Sequence, residues 1–381
     1  MRPHLSLISL LVCLGLVASS EPLACELKTR HEQCRADETA GALTTYSPER
    51  TDPRRVVAVG DVHGAFDGLL QVLYSANVTA SPTHCEWREQ GAGTVLVQVG
   101  DLVDRGAHSW EAFTCLRELQ RSAAAVGSKV VRLVGNHDIW WLNGYFHKRS
   151  PHDTKAKILQ MIQALVDDIA DGLIAAAYVH HIYDVPIMFS HAGISANFYA
   201  YLERQLRKKN KSIFSFDKTS NTKKSKNTLS AEEIAGYVNG VLSKQVAACT
   251  RFPCHEFGHE VFEAGPDRGG SGIGGPFWVD FSSLEAAAKN QLEPRHILQV
   301  VGHTMAWCYD PRREGVHPPL QQTECALGLV RPTHDLQSVC VDGGMYLGAR
   351  AYLTIGVDAH FRAHQAHVPF VGGMAGTGVD T

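Results

Sequence analysis

Three stretches of the 381-residue chain put carboxylates, imidazoles and an amide at the same relative place. VVAVGDVHG (56–64), VLVQVGDLVDRG (95–106) and VRLVGNHD (131–138) each run through Val-rich apolar residues into a Gly, and only then reach polar side chains. Such runs predict buried strands that stop at the Gly. Asp61, His63, Asp101, Asn136 and His137 therefore leave three strand ends about 35 residues apart, a spacing that suits strand-helix-strand units with neighbouring strands. The groups must converge. Carboxylate and amide oxygens with imidazole nitrogens form a mixed donor set suited to Mn, Fe or Zn, and Asp101 on the middle strand can bridge two ions. Two ions roughly 3.5–4 Å apart can share a hydroxide and clamp both the attacking and the leaving oxygen of a phosphoryl transfer.

The elements that must position these residues follow from periodicity. AFDGLLQVLYSA (65–76) and HSWEAFTCLRELQRSAAA (108–125) have their apolar residues on one helical face, so each strand is followed by a helix that packs on it. The pattern is that of an α/β fold. TKAKILQMIQALVDDIADGLIAA (154–176) reads as an amphipathic helix in an inserted cap, and SAEEIAGYVNGVLSKQVAA (230–248) opens with a Ser230–Glu233 capping box. Between strand and helix, Asp104 and Arg105 sit in a loop at the ligand end, where function resides, against the alternative of a surface ion pair. In IWWLNGYF (139–146), Trp140, Trp141, Tyr145 and Phe146 read first as packing and second as an aromatic wall beside the metals.

DVPIMFSHAGIS (184–195) and HILQVVGHT (296–304) repeat the opening design and deliver His191 and His303 at strand ends, a place where a lone His is usually structural. His255-Glu256-Phe257-Gly258-His259 satisfies H-E-x-x-H, but Gly258 and the nearby Gly265-Pro266 leave room only for a short helix and no third ligand follows, so a zinc peptidase is disfavoured. PDRGGSGIGGPFWVDF (266–281) reads as a flexible loop entering a strand or turn; it lacks the GK[ST] of a nucleotide loop. The interval 206–227 holds seven Lys and one Asp, a solvated loop or a dock for an acidic partner.

Composition bounds the class. With 44% hydrophobic residues the chain can bury a large core, and a net charge of −3 gives no footprint for nucleic acid. Arg2, the apolar run 5–17 and small residues 18–20 read as a secretory signal cleaved after Ser20, and no later stretch reaches membrane length. Residues 21–53 read as a loose polar arm, 54–360 as one catalytic domain with insertions at about 146–180 and 197–290, and 361–381 as a flexible tail. Beyond Cys13 the chain has nine cysteines, consistent with disulfides in an oxidising compartment; Cys25–Cys34 and Cys249–Cys254 are plausible pairs, and the odd count leaves a free thiol. Asn77 and Asn210 sit in glycosylation sequons.

GDVHG, GDLVDRG and GNHD, in that order and spacing, resemble the signature blocks of the calcineurin-like metallophosphoesterases, and more narrowly the phosphoprotein phosphatases. SHAGI, VGHT and VDGGM are similar to those of the Shewanella-type branch. The resemblance implies a central sandwich of two mixed sheets flanked by helices, with His191 and His303 as late metal ligands. It implies that Asp61, His63 and Asp101 hold one divalent ion and that Asp101, Asn136, His191 and His303 hold the other, manganese being the expected metal. A bridging hydroxide would attack phosphorus in line while Arg105, with Asn136, grips the phosphate. His137 would protonate the leaving oxygen, and Asp104 would orient its ring and raise its pKa. The family's second phosphate-holding Arg has no counterpart in WVDF, where Asp280 stands, leaving Arg268 as the substitute. Asp138 replaces the usual Glu, and no SAPNYC stretch occurs.

The expected function is that of an exported dimetal phosphatase acting on phosphoserine and phosphothreonine proteins, with phosphotyrosine left open. A dinucleotide polyphosphate hydrolase is the alternative within the fold, and a binding protein on an inactive scaffold is disfavoured by the complete ligand set.

Overall fold

The protein is described from a computed structural model that covers residues 54–88, 93–182, 185–211, 228–249, 251–254, 257–292, 294–305, 330–333, 335, 337–356 and 361–366. The expected signal, arm and Cys25–Cys34 pair, most of the Lys-rich interval, and His255 with Glu256 lie outside these residues. The first half of the chain runs β1 (Arg55–Val59), α1 (Phe66–Ser75), β2 (Thr94–Gln98), α2 (Ser109–Ser122), β3 (Lys129–Leu133), α3 (Asn136–Leu142), α4 (Lys155–Ala170) and β4 (Ile174–Ala175). It continues through β5 (Ala177–Ile182), β6 (Val185–Ser190), α5 (Ala196–Lys211), α6 (Ala231–Ala248), α7 (Phe281–Lys289) and β7 (Leu298–Val301). The end is β8 (Arg331–Pro332), β9 (Ser338–Cys340), β10 (Ala351–Ile355) and β11 (Phe361–Gln365).

These strands form two mixed sheets, in the orders β11-β10-β1-β2-β3-β4 and β5-β6-β7-β9-β8. In the first, β1 to β4 are parallel and β10 and β11 antiparallel; in the second, β6, β7 and β9 are parallel. Parallel neighbours end on the same side, and so the Gly-to-ligand turns gather along one edge. The pleat sorts β1 between two cores: Val56 and Ala58 pack with Ile187, Phe189 and Val300 of the facing sheet, while Val57 and Val59 pack under α1 and α2. Each Leu and Phe buried there, such as Leu69, Leu73 and Phe113, contributes about 1.5–3 kcal/mol. The sandwich of two mixed sheets with flanking helices is as expected.

Three boundaries differ from the sequence reading. The helix expected over 154–176 stops at Ala170, because Gly172 turns into a left-handed conformation and Ile174–Ala175 then pairs with β3 as a strand. WVDF leads into a helix rather than a strand or turn: the Asp280 carboxylate accepts from Ser282 N at 3.0 Å and caps α7. The tail placed from residue 361 begins with β11, paired antiparallel to β10. The Ser230–Glu233 capping box forms as read.

Asp168, buried on α4, pairs with Arg132 of β3 and Arg117 of α2, and so fixes the inserted helix to the first sheet. Disulfides join Cys249 to Cys254, as expected, and Cys85 to Cys115; Cys340 is a buried free thiol. Among the described residues no helix is long and apolar enough to cross a membrane.

Candidate active site

The turns at the shared edge are strained in a way that points to use. Among the described residues, the non-glycine positions with positive φ are His63, Asn77, Asp101, Asp104, Arg105, Gln291 and His303, and five of these are predicted site residues. An L side chain enters that region at a cost unless its surroundings enforce it. The enforcement is visible around Asp101. Asp138, at the start of α3, accepts from the backbone N–H of Gly135 (2.8 Å), Asp101 (3.0 Å) and Leu102 (3.1 Å). Gly135 is needed there, since a Cβ would collide with the Asp101 carboxylate. The Asp that stands in for the family's Glu thus stitches the second block to the third. Burial pushes its carboxyl up to about 6 against the pull of those N–H groups.

Asp61, His63, Asp101, Asn136, His191 and His303 meet from both sheets. Asp101 Oδ1 accepts from His137 N at 2.9 Å, which leaves Oδ2 centred between His63 Nε2 and His191 Nε2, each 3.5 Å away. His63 Nδ1 lies 2.8 Å from the Val103 carbonyl and His191 Nδ1 lies 2.9 Å from that of Val99. A carbonyl can only accept, so both Nδ1 atoms carry the proton and both Nε2 atoms present lone pairs. His191 Nε2 then faces Asn136 Oδ1 at 2.8 Å, and His303 Nδ1 closes the group at 2.9 Å from the same oxygen and 3.2 Å from His191 Nε2. Lone pairs held this close repel unless a cation lies among them.

The electrostatics say the same. Burial raises Asp61 and Asp101 well above the ordinary carboxylate range; neighbouring charge from Asp342 adds to the first and from Asp138 to the second. Burial likewise holds His63 and His303 well below the imidazole range and His191 at about 3. Crowded carboxylates beside neutral imidazoles are the environment that divalent ions relieve, and the O/N set fits Mn, Fe or Zn. Two triads of ligand atoms are compact enough to hold an ion: Asp61, Asp101 and His191, and His63, Asp101 and His137. His137 is better read outside the ligand set, because the Arg105 guanidinium lies 3.4 Å from its Nε2 and would repel an ion there.

Beside this cluster stands a dyad. His137 Nδ1 is 2.6 Å from Asp104 Oδ2, and Trp141 Nε1 donates to Asp104 Oδ1 at 2.7 Å. Both carboxylate oxygens are thereby fixed, and the ring presents Nε2 to the cavity. Asp104 does pull the imidazole pKa upward, as expected, but burial outweighs it and the net displacement is downward. Arg105 stacks on Tyr346 at 4.6 Å and donates to its hydroxyl at 2.5 Å, holding the guanidinium over the cavity.

The cavity, of about 190 Å³, is lined by His63, Asp101, Arg105, Asn136, His137, Arg268 and His303, together with residues not assigned from sequence: Lys148, Trp278, Met305, Asp342 and Tyr346. Asp342 is buried next to Asp61 and raised by burial to about 6. Its segment, SVCVDGGM, has the same strand, then Asp, then Gly order as the first block, which was the signal available. Trp278 and Tyr346 have no comparable local signal. Trp140 lines the cavity, Trp141 is buried and Phe146 packs against it, so the aromatic run is divided between wall and core. Arg268 reaches the cavity from the insertion, donating to Thr304 Oγ1 at 2.6 Å and pairing with Asp280 at 2.8 Å. The Asp that displaced the expected Arg thus anchors a different one. His259 of the H-E-x-x-H match lies in a turn rather than a helix, and its Nδ1 accepts from Val261 N at 3.2 Å.

Comparison with known proteins agrees with this geometry. The chain is 35% identical over 94 residues to Shewanella-like protein phosphatase 2 of Arabidopsis thaliana, covering 25% of this chain and 23% of that one. It is 30% identical over 138 residues to the symmetrical bis(5′-nucleosyl)-tetraphosphatase of Proteus mirabilis, covering 36% and 44%. The cold-active protein-tyrosine phosphatase of a psychrophilic Shewanella superposes with 18% identity and a TM-score of 0.47, covering 82% of this chain and 80% of that one. The chain spans less than half the length of the two relatives matched by sequence. Residues 54–262, more than half of the sequence, match one family throughout, and with the ligand cluster at the edge of a two-sheet sandwich this chain belongs to the calcineurin-like phosphoesterases.

Proposed function

We propose that this protein is a dimetal phosphomonoesterase that dephosphorylates proteins. The observation that carries the reading is the meeting of six donor side chains from two sheets, their lone pairs turned on one another, directly beside the Asp104–His137 dyad and Arg105. When bound, two divalent cations, manganese by preference, supply charge neutralisation and a nucleophile available at neutral pH. The protein groups do the rest. Arg105, steadied by Tyr346, offers a planar fork of donors to the phosphate oxygens, and Arg268 approaches from the insertion side. An entering phosphate dianion favours a proton on His137 Nε2, and Asp104 holds the Nδ1–H so that this proton faces the leaving oxygen. Trp141 prevents Asp104 from turning away.

Two supports extend the reading. The similarity to a Shewanella-like protein phosphatase favours phosphoprotein substrates, while the similarity to a bis(5′-nucleosyl)-tetraphosphatase keeps a dinucleotide polyphosphate as the competing substrate class. Two disulfides within the domain favour an oxidising compartment reached by export. The test is hydrolysis of an aryl phosphate by the purified protein with and without manganese. Asp101→Asn is expected to remove roughly 10³-fold or more and His137→Asn roughly 10²–10⁴-fold of kcat/KM. Activity that survives Asp101→Asn, or that needs no divalent ion, contradicts the reading.

A further inference from the structure

One wall of the cavity is aromatic and has no part in the steps above. The Trp140 ring lies 4.6 Å from the His137 imidazole, inclined at 58°, and the Trp278 ring lies 5.1 Å from Trp140 and 5.7 Å from His303. Trp140 comes from the third ligand block and Trp278 from the Gly-rich insertion; both are partly exposed, and both line the cavity. Trp141, one residue along the same helix, is buried in the core with its indole N–H on Asp104, so the chain spends one Trp on positioning and leaves its neighbour facing the ligand.

The place of Trp140 identifies what would cover it. His137 Nε2 faces the leaving oxygen of the bound ester, and the group borne directly by that oxygen therefore lies against the ring beside His137. In a seryl phosphate this group is a single methylene. In a nucleoside phosphate it is the sugar, and the base lies farther out. In an aryl phosphate it is a ring, which can stack on one indole and meet the other edge-on. Resting on the phosphatase reading above, we infer that Trp140 and Trp278 form a specificity platform for esters whose leaving oxygen is carried by an aromatic ring, in a protein the phosphotyrosyl side chain.

The experiment uses the full-length, manganese-loaded protein and one peptide sequence carrying phosphotyrosine or phosphoserine. Benzyl phosphate against ethyl phosphate serves as a second pair, in which the ring is present but both leaving groups are alkyl alcohols. The wild type should favour the aromatic member of both pairs. Trp140→Ala and Trp278→Ala should each lower the aromatic-to-alkyl ratio of kcat/KM by roughly three- to tenfold, with Trp140→Phe keeping most of it. Unchanged ratios in both alanine variants overturn the inference. So does a wild type that prefers phosphoserine, or one that prefers a dinucleotide tetraphosphate over every monoester. In each of those cases the dimetal phosphoesterase reading stands, because hydrolysis persists. Absence of any phosphate-ester hydrolysis overturns that reading and this one together. Should Trp140→Ala fail to fold, Trp278→Ala, on the insertion loop, decides alone.

Discussion

The two sheets build their halves of the site in different ways. The first works in blocks: within Asp101–Arg105 and Asn136–Asp138, ligand, dyad member, phosphate fork and the carboxylate that braces the turn all lie within a few residues of one another. The second contributes single side chains, His191, His303 and Asp342, each from a strand end and each defined only by what it faces across the sandwich. The first half is therefore fixed by local hydrogen bonds, and the second by how well the sheets pack. Asp101 and Asn136 on one side, with His191 and His303 on the other, make the second ion position a joint between them.

Variants that act on one half only can break that comparison. The largest effect is expected at the joint. His303→Ala should cost more than the roughly 10–100-fold in metal affinity or activity typical of an outer partner, and should remove most of the thermal stabilisation given by manganese. Full stabilisation in that variant, followed by a manganese-dependent melt, would show that the first sheet holds the ions alone. Next comes the insertion. Arg268→Ala should raise KM for a phosphopeptide roughly tenfold, and Asp280→Asn, which keeps a good helix cap on α7, roughly threefold. Equal KM values in wild type and both variants would remove Arg268 from phosphate binding.

The smallest effect is one of pH. The Asp342 carboxyl is raised to about 6 in the folded protein, against about 3.9 when unfolded. The folded state binds this proton more tightly, so the metal-free chain has that stabilisation in full below about pH 4 and loses it as the pH rises through about 6. Cations seated at the neighbouring Asp61 and Asp101 offset the exposed negative charge. The rise in Tm on adding manganese should therefore grow by a few degrees between pH 5 and 7.5, measured by differential scanning fluorimetry. A shift independent of pH would place the ions away from these carboxylates.

The same division explains what the sequence disclosed. Asp61, His63, Asp101, Asn136 and His137 are legible because a Val-rich strand, a Gly and a polar group recur at strand-helix-strand spacing, and the pleat leaves no other place for the side chains. His191 and His303 share the pattern but needed the family resemblance to stand apart from structural histidines. Asp342 shares it too, within a segment read only as a family marker. Trp278 and Tyr346 are not legible, since nothing near them in the chain says that the insertion and the loop after β9 reach the cavity. The downward displacement of His137 was hidden for a related reason: a motif names Asp104 as partner, while the depth of burial is a property of the whole fold.

The cross-link between Cys249 and Cys254 has a consequence for the helix that carries Asn136 and His137. Cys254 N donates to Leu142 O at 2.9 Å at the end of that helix, Pro253 rests against Gly144, and Phe252 packs on Phe146. The far end of the helix is thus moored to a loop whose closure depends on one sulfur–sulfur bond. Thiol chemistry remote from every ligand reaches the proton donor through a mechanical route, and the redox history of the protein becomes a determinant of how firmly that donor is held.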